Sequence, residues 1–225
     1  MIKAENLFFS YTDSPPYVLE GIDLEIDAGE YISVVGENGS GKSTLMRLLL
    51  KFLKPTSGRI TIQTKRIGYV PQKKDFANSN FPITVEEALN SYRRLLKISG
   101  RNIITEALEQ VGMSDFTGAL MGDLSGGQSQ KILIARSLIG NPELVILDEP
   151  STGVDIGSQK EIYGLIKRIN KENGVTIVSV EHNLDAAISN STLIYHLAGG
   201  RGHLCTPRQY ADEFLNNRGK DHDNI

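Results

Sequence analysis

The chain has 225 residues, 40% of them apolar, and a net charge of −3 at pH 7. This length and apolar content suffice for one domain with a proper core, and leave room for a subdomain. The weakly acidic balance gives no reason to expect nucleic acid or an anionic surface as the main partner. Cys205 is the only cysteine, which excludes an internal disulfide framework and fits a reducing compartment.

Neither the N-terminus nor the apolar segments indicate export or membrane insertion. The N-terminal sequence MIKAENLFFSY lacks the basic and apolar regions of a secretion signal. No apolar stretch approaches the ~18 residues of a membrane span, because the longest candidate, 45–53, contains Arg47 and Lys51. We therefore expect a soluble protein, and any membrane role must come through a partner.

The first third of the chain predicts strands on both sides of one helix. Residues 22–27 alternate apolar and acidic side chains, as in a strand with one wet face. The nearly all-apolar segment Tyr31–Val35 predicts a buried parallel strand. A helix is predicted at about 41–53, and two further strands at 58–62 and 66–70.

The composition changes after Gln72. Thr84 and Glu87 can form a capping box at the start of a helix. Apolar residues at helical spacing in 103–111 predict a second, amphipathic helix. We take 76–123 as an all-helical insert.

The buried-strand pattern returns in the second half, at 144–147 and 175–180, with a helix predicted between them near 158–171. Strands that alternate with helices imply a mostly parallel α/β core. The polar end of the chain, 216–225, is predicted to be frayed.

A glycine-rich loop, GENGSGKS, follows the predicted strand Tyr31–Val35 and matches the P-loop pattern at every required position. Its glycines let backbone N–H groups point at a β-phosphate, and the following helix directs its positive end there. Lys42 should reach the β- and γ-phosphates, and Ser43 should hold Mg²⁺. The residues predicted to bind ATP in this loop are Gly36, Asn38, Gly39, Ser40, Gly41, Lys42, Ser43 and Thr44.

Two adjacent carboxylates, Asp148 and Glu149, end the apolar run LVIL. Side-chain direction alternates along a strand, so neighbouring acids can take different roles. Asp148 is predicted to bind Mg²⁺, directly or through water. Glu149 is predicted to polarise the attacking water as general base.

A second glycine-rich segment, LSGGQ at Leu124–Gln128, opens another predicted helix. Ser125 can cap this helix, and the exposed N–H groups behind it make an anion site. The chain thus has two phosphate-reading helix starts but only one P-loop. Ordinary P-loop chemistry requires no such second site.

Together with Glu181–His182, these segments resemble the nucleotide-binding subunit of an ABC ATPase, from about Met1 to Cys205. In that family a head-to-tail pair brings each chain's LSGGQ to ATP on the other chain's P-loop. The resemblance therefore implies a homodimer on ATP binding, in which the nucleotide also contacts Ser125, Gly126, Gly127 and Gln128.

Further roles follow from the same resemblance. Gln72 resembles the glutamine that touches Mg²⁺ and the membrane partner, and His182 resembles the histidine that contacts the γ-phosphate. Tyr11 matches the aromatic residue that stacks on adenine, with Phe8 and Phe9 as neighbours better interpreted as strand core. Asp155, in the segment TGVD, matches the aspartate of a loop that crosses the dimer seam.

Three positions depart from the common family pattern. Asn183 stands where aspartate is usual, Lys131 where arginine is common, and Glu37 where proline is frequent. None removes a catalytic group, so an active ATPase is expected. The remaining histidines, His196, His203 and His222, are interpreted as scattered rather than as a metal site.

The predicted fold class is α/β, with a P-loop ABC ATPase core on a mostly parallel sheet, an antiparallel β subdomain and an all-helical insert. We expect a single domain, 1–225, with its catalytic core at 1–75 and 124–205, the helical subdomain at 76–123 and a C-terminal tail at 206–225.

Weaker sequence resemblances, outside the ATPase motifs, bear on the transported cargo. Segments 65–73, 81–85, 153–155 and 205–207 look like those of ATPase subunits from bacterial zinc or manganese uptake systems. These segments could not touch a transported metal, so the metal is implied by resemblance alone. The expected partners are a membrane permease and, indirectly, a solute-binding protein, with no nucleic acid. The expected location is cytoplasmic, on the inner face of the membrane.

Three alternatives compete with this assignment, and the sequence argues against the last two. The chain could serve an importer of another cargo, or it could be a soluble ABC ATPase that acts on ribosomes or chromosomes. Translation-type members carry two cassettes and chromosome-type members split theirs around a coiled coil, so neither fits this single cassette. A P-loop metabolite kinase would lack LSGGQ.

Overall fold

The computed structural model describes residues 1–72, 82–100 and 102–215. The strands of this part are β1 (Ile2–Phe9), β2 (Leu19–Ile26), β3 (Tyr31–Val35), β4 (Ser57–Ile62), β5 (Ile67–Val70), β6 (Leu144–Asp148), β7 (Thr176–Val180), β8 (Leu193–Ala198) and β9 (Arg201–Cys205). Its α-helices are α1 (Lys42–Leu49), α2 (Val85–Leu95), α3 (Ile103–Gln110), α4 (Gly126–Leu138), α5 (Ile156–Asn173), α6 (Leu184–Asn190) and α7 (Pro207–Tyr210). The predicted frayed end, 216–225, and parts of the predicted insert, 76–81 and 101, lie outside the described residues.

The chain divides into two compact units, one made of Met1–Lys65 with Thr176–Ile225 and the other of Arg66–Val175. This division by packing does not follow the predicted boundaries at 75, 123 and 205, which stay predictions. Among the described residues, no helix is long and apolar enough to cross a membrane.

An antiparallel sheet in the first unit has the strand order β2-β1-β4. In β2, Leu19, Ile22, Leu24 and Ile26 are buried while the acidic residues between the last three are exposed. The predicted solvent-exposed face of β2 is therefore present. The strand begins at Leu19, three residues before the predicted start, because Leu19 already pairs with Phe9, the last residue of β1.

In the same unit, β3 lies between two parallel strands. This strand pairs in parallel with β7 on one side and with β8 on the other, and β9 returns antiparallel to β8. All five residues of β3 are buried. This confirms the predicted buried parallel strand, which leads directly into the P-loop.

Helix α1 ends at Leu49, so its predicted extension to about 53 is wrong. Lys51 has φ 60, a left-handed conformation. The backbone N–H of Lys51 donates to the Leu48 carbonyl oxygen at 3.0 Å. The backbone N–H of Phe52 donates to the Arg47 carbonyl oxygen at 2.8 Å. This pair of bonds is a Schellman motif, which terminates a helix by satisfying its last carbonyls.

The region predicted as a tail contains ordered structure up to 215. Helix α7 begins with a capping box in which the Thr206 hydroxyl accepts from Gln209 N at 3.2 Å. Tyr210 is buried in a cluster with Val35, Ala187, Ile194 and Cys205. The buried Tyr210 side chain was not predicted, because most of its neighbours in this cluster are distant in sequence.

In the second unit, β5 and β6 run parallel and α4 packs on β5. The close approach requires Gly68, because a Cβ there would lie 2.3 Å from the Ser137 carbonyl oxygen. The predicted capping box of α2 is present, with Glu87 accepting from Thr84 N at 2.8 Å. The described part of the insert is helical, as predicted, and α3 buries Ile104, Ala107 and Leu108.

Candidate functional site

The P-loop lies between β3 and α1 in the first unit, and its shape depends on glycine. Gly39 and Gly41 have φ values of 82 and 102, which side-chain-bearing residues rarely adopt. A Cβ on Gly36 would lie 2.1 Å from the Leu197 carbonyl oxygen, so the loop is held against β8. Helix α1 has Gly41 at its N-cap and no side-chain cap. The backbone N–H groups of its first turn therefore face the loop without a capping side chain.

Lys42 is 5% exposed, and its Nζ donates to the carbonyl oxygens of Gly36 and Glu37 at 2.8 Å each. The ammonium is thus held over the loop by oxygen atoms that a phosphate can replace. The Ser40 hydroxyl is buried in the same loop without a hydrogen-bond partner among the described residues. A buried unpaired hydroxyl is costly, so this loop fits an oxygen-rich anionic group such as a phosphate.

Tyr11 lies beside the P-loop helix. Its hydroxyl is 3.2 Å from Thr44 Oγ1, and its ring meets the Phe9 ring edge-on at 4.9 Å between centroids. Tyr11 is 59% exposed, whereas Phe9 is 5% exposed and Phe8 packs on Tyr17. Among these aromatic residues, Tyr11 has the ring whose face a planar base can reach.

His182 comes two residues after β7, next to the strand that precedes the P-loop. The backbone N–H of Glu181 donates to the Val34 carbonyl oxygen at 3.0 Å, which extends the strand pairing. Glu181 is 2% exposed and accepts from the Ser179 hydroxyl. Asn183 caps α6 by accepting from Ala186 N at 3.1 Å, so it performs the capping that an aspartate would perform.

Gln72 and Glu149 meet in the second unit, and the register of two strands explains why. Val70 of β5 is opposite Leu147 of β6, so the chain positions two residues further on are also neighbours. Gln72 Nε2 donates to Glu149 Oε2. Asp148, the last residue of β6, is half-buried. The structure therefore brings together two of the three residues predicted to be catalytic.

Glu149 is also held by Thr152, whose Oγ1 donates to the same carboxylate oxygen at 3.0 Å. The backbone of Glu149 has φ 50, which is uncommon outside glycine. Thr152 was missed on the sequence, although its place three residues after an acid in a Pro-Ser turn is a usable signal.

The signature segment, Leu124–Gln128, begins α4. Ser125 Oγ accepts from Gln128 N at 3.2 Å, and Gln128 Oε1 accepts from Ser125 N at 2.8 Å, a complete capping box. The Ser125 hydroxyl accepts in this bond and can still donate its own proton. A ligand at this helix start would therefore meet a hydroxyl donor and the first backbone N–H groups.

Asp155 caps α5 by accepting from Ser158 N at 3.0 Å. This backbone bond, and then a bond from the Ser158 hydroxyl, lower the pKa of the exposed Asp155 carboxyl. Ile156 follows at the helix start and is 75% exposed. The predicted dimer-seam residue thus stands beside an apolar side chain that the described part of the chain does not cover.

The chain has close relatives among known transport proteins. Residues 19–152 match the family model described as ABC transporter. A probable metal transport system ATP-binding protein of Treponema pallidum (strain Nichols) is 54% identical over 220 residues, which are 98% of this chain and 92% of that protein. This chain belongs to the ABC transporter family. Its sequence-based assignment as an ABC-type ATPase is confirmed.

Another relative of this ABC ATPase is the high-affinity zinc uptake system ATP-binding protein ZnuC of Bacillus subtilis (strain 168). It is 38% identical over 196 residues, covering 81% of this chain and 84% of that protein. These relatives are named as ATP-binding proteins of metal or zinc transport systems.

Solved structures of ABC cassettes have the same fold. The cbiO1 protein of Clostridium perfringens, part of an ABC transporter complex, gives a TM-score of 0.84 at 28% identity and covers 97% of this chain and 93% of its own. The dimeric ATP-binding cassette MJ0796, bound to ADP and Pi, gives 0.75 at 28% identity and covers 92% of this chain and 99% of its own. The predicted α/β cassette fold is confirmed.

Two histidines of this ABC ATPase are neighbours, so their interpretation as scattered is wrong. His196 on β8 is paired with His203 on β9, and the ring centroids are 5.4 Å apart. Burial lowers the pKa of His196, and the neighbouring His203 lowers it further. Within the part of the chain that the structure describes, no group of three or more His, Cys, Asp or Glu residues is placed to hold a metal ion.

The predicted site residues fall in both units of the ABC ATPase. The first unit contains the P-loop, Tyr11 and His182, with Tyr11 in contact with Thr44. The second contains Gln72, Asp148, Glu149, the signature segment and Asp155, with Gln72 in contact with Glu149.

Proposed function

We propose that this ABC ATPase powers a membrane importer for a divalent metal ion, zinc or manganese. The observation that carries the hydrolytic part is the Glu149 carboxylate, oriented at the end of β6 by Gln72 and Thr152. The relatives named for metal and zinc transport support the cargo. The alternatives are an importer of another cargo and a soluble ABC ATPase.

ATP is proposed to bind at the P-loop, with its phosphates in the nest of backbone N–H groups at Gly36–Ser43. Lys42 would exchange its bonds to the Gly36 and Glu37 carbonyls for phosphate oxygens. Tyr11 would stack on the adenine, since its ring is exposed beside α1. The loop residues proposed to contact nucleotide are Gly36, Asn38, Gly39, Ser40, Gly41, Lys42, Ser43 and Thr44.

Mg²⁺ would be held by oxygen donors, the ligands that this ion prefers. The proposed donors are the Ser43 hydroxyl, the Gln72 amide oxygen and the Asp148 carboxylate. The Ser43 side chain is exposed and Asp148 is half-buried, so both can reach a ligand. When bound, the ion neutralises the negative charge that develops on the phosphates.

Hydrolysis is proposed to use Glu149 as general base toward a water molecule. Gln72 and Thr152 hold one carboxylate oxygen and so set the direction of the other. His182 would contact the γ-phosphate from the end of β7, where the pairing of Glu181 with Val34 keeps it next to the P-loop strand. These are the proposed roles of the three residues predicted to be catalytic.

A second copy of the chain, arranged head-to-tail, is the proposed nucleotide-dependent partner. Each signature segment, through Ser125, Gly126, Gly127 and Gln128, would then contact ATP on the P-loop of the other copy, and Asp155 would lie at the seam. The dimeric MJ0796 cassette supports this arrangement. Exposed Ile156, next to Asp155, supplies apolar surface to the same face.

The proposed membrane partner is a separate integral membrane permease, which this chain would contact at the cytoplasmic face through the region of Gln72 and the helical insert. A solute-binding protein would be connected only through that permease, and no nucleic acid is involved. Affinity purification of the tagged chain from native membranes in mild detergent tests this. A multi-span protein should be recovered with it, whereas recovery of soluble partners alone would favour the soluble ABC ATPase.

The cargo is tested by metal accumulation in host cells that lack the chromosomal copy of this chain. Restored accumulation of zinc or manganese with the wild-type chain, and not with a Glu149→Gln chain at equal abundance, is the expected result. Transport of neither metal, with the permease complex intact, would contradict the cargo and leave the ATPase assignment standing.

A further inference from the structure

The starts of α4 and α5 approach each other so closely that only glycine fits at the contact. A Cβ built on Gly127 would lie 2.6 Å from Ser158 Oγ, 2.7 Å from Ser158 Cβ and 3.7 Å from Val154 Cγ1. The Ser158 hydroxyl could rotate away from such a Cβ only by giving up its bond to the Asp155 carboxyl. The Cβ of Ser158 could not move away, because the helix backbone fixes it. Gly127 is therefore required for packing within the chain, apart from any contact with nucleotide.

A second contact lies one helical turn further along both helices. Lys131 Nζ and Glu161 Oε2 are 2.6 Å apart, four residues after Gly127 and three residues after Ser158. Residues at these spacings lie on the same helix face. The two contacts lie on the facing sides of α4 and α5, and the close approach at Gly127 is the tighter of the two.

The start of α5 is in turn joined to the loop that follows Glu149, here called the 149–155 loop. Gln159 Nε2 donates to the Val154 carbonyl oxygen at 2.9 Å and to that of Ser151 at 3.3 Å. Ser158 N donates to Asp155 Oδ1 at 3.0 Å. At its other end the loop holds Glu149 through Thr152.

A continuous series of contacts therefore runs from the signature segment through Ser158 to Glu149 of the same chain. In a head-to-tail dimer, these two ends serve different ATP molecules. The signature segment would contact ATP bound to the other copy, whereas Glu149 would act at the other nucleotide site. A displacement of one end would then affect the other.

We propose that Ser158 is a positioning residue, which fills the space over Gly127 and couples the two nucleotide sites of the dimer by keeping the signature segment at a fixed distance from the 149–155 loop. This inference rests on the proposed head-to-tail dimer. It assigns Ser158 no contact with ATP.

A reciprocal exchange of the two side chains tests the proposal. Gly127→Ala introduces the clash, Ser158→Gly leaves the space empty, and the double variant places one Cβ in the space from the opposite helix. Gly127→Ala should lower kcat about ten- to a hundredfold, as small misplacements near a reacting group do. Ser158→Gly should bring the Hill coefficient for ATP from above one toward about 1.

The double variant Gly127→Ala/Ser158→Gly should recover kcat to within about threefold of wild type and should restore the Hill coefficient. ATP affinity of the isolated chain should stay unchanged throughout, since the P-loop is untouched. Gly164→Ala is the matched control, because it adds a Cβ on α5 where nothing lies within 4 Å. Thermal melting of each variant verifies folding.

Failure of the double variant to exceed Gly127→Ala would overturn the proposal, because Gly127 would then be needed for nucleotide approach alone. Wild-type kcat and Hill coefficient in Ser158→Gly would overturn it as well. Failure of the head-to-tail dimer is recognised separately, by wild-type hydrolysis that is linear in protein concentration and by a wild-type Hill coefficient of about 1.

Discussion

At the scale of single residues, the arrangement around Glu149 combines two donors with an unusual backbone. Gln72 and Thr152 donate to the same carboxylate oxygen, and the backbone of Glu149 has φ 50. Left-handed conformations of non-glycine residues cost energy and persist where surrounding contacts enforce them, often at active sites. The bonds from Gln72 and Thr152 orient the carboxylate, as a general base requires.

Replacing Glu149 by Gln should abolish turnover while ATP still binds. The change keeps the size of the side chain and removes the group that accepts a proton from water, so kcat should fall about a thousandfold. Single-turnover hydrolysis and equilibrium ATP binding measure the two effects separately. Glu172→Gln, an exposed change on α5, is the control and should leave both unchanged. Turnover near wild type in Glu149→Gln would reject the assignment of the base.

Thr152→Val should lower kcat about ten- to a hundredfold, since a hydrogen bond to a charged group is worth about 1.5–3 kcal/mol. The KM for ATP should not change, because Thr152 contacts Glu149 and not the P-loop. Thr152→Ser keeps the hydroxyl and should recover most of the activity. Loss of activity in Thr152→Ser together with retained activity in Thr152→Val would contradict this role, because the side-chain methyl rather than the hydroxyl would then matter.

At the scale of elements, α7 illustrates how a short segment is stabilised by one side chain. The helix spans only Pro207–Tyr210, and helices of this length are not stable alone. It is ordered because a capping box starts it and Tyr210 packs against β3, α6 and β8 through Val35, Ala187 and Ile194. Val35 directly precedes the P-loop, so α7 also stabilises the strand that positions the loop.

Tyr210→Ala should destabilise the protein by about 3–5 kcal/mol, the usual cost of emptying a buried aromatic position. Denaturant unfolding followed by circular dichroism measures the loss. Arg208→Ala on the same helix is the control, since this side chain is 93% exposed and its replacement should cost less than about 0.5 kcal/mol. A Tyr210→Ala protein as stable as the control would show that α7 contributes nothing to the first unit.

For the molecule as a whole, the sequence predicts two helix N-termini that bind phosphate, but only one P-loop. The N-termini of α1 and α4 belong to different units, and only α1 follows a glycine loop with a lysine. The proposed head-to-tail dimer would give both helix starts a phosphate. It would also make each active site dependent on residues from two copies.

Ser125→Arg should therefore stop turnover without weakening ATP binding at Lys42. The long cationic side chain would replace a capping hydroxyl at the proposed seam, while the P-loop stays intact. Hydrolysis by the wild type should also rise more than linearly with protein concentration where monomers dominate. Strictly linear activity under these conditions, or retained turnover in Ser125→Arg, would contradict the composite site.

The segments that carry the chemistry, and the order of the elements, could be predicted from the sequence. The P-loop, the Asp148–Glu149 pair, the capping box at Thr84, the cap at Ser125 and the buried strand Tyr31–Val35 all depend on neighbours close in sequence. Local spacing and local hydrogen bonds therefore predict them. The tertiary structure decided what depends on residues distant in sequence. The contact of Gln72 with Glu149 follows from strand register, and that of Gly127 with Ser158 from helix packing. The burial of Tyr210 depends on three elements that meet only in the fold. No local pattern encodes such distances, because they arise only when separate segments are brought together.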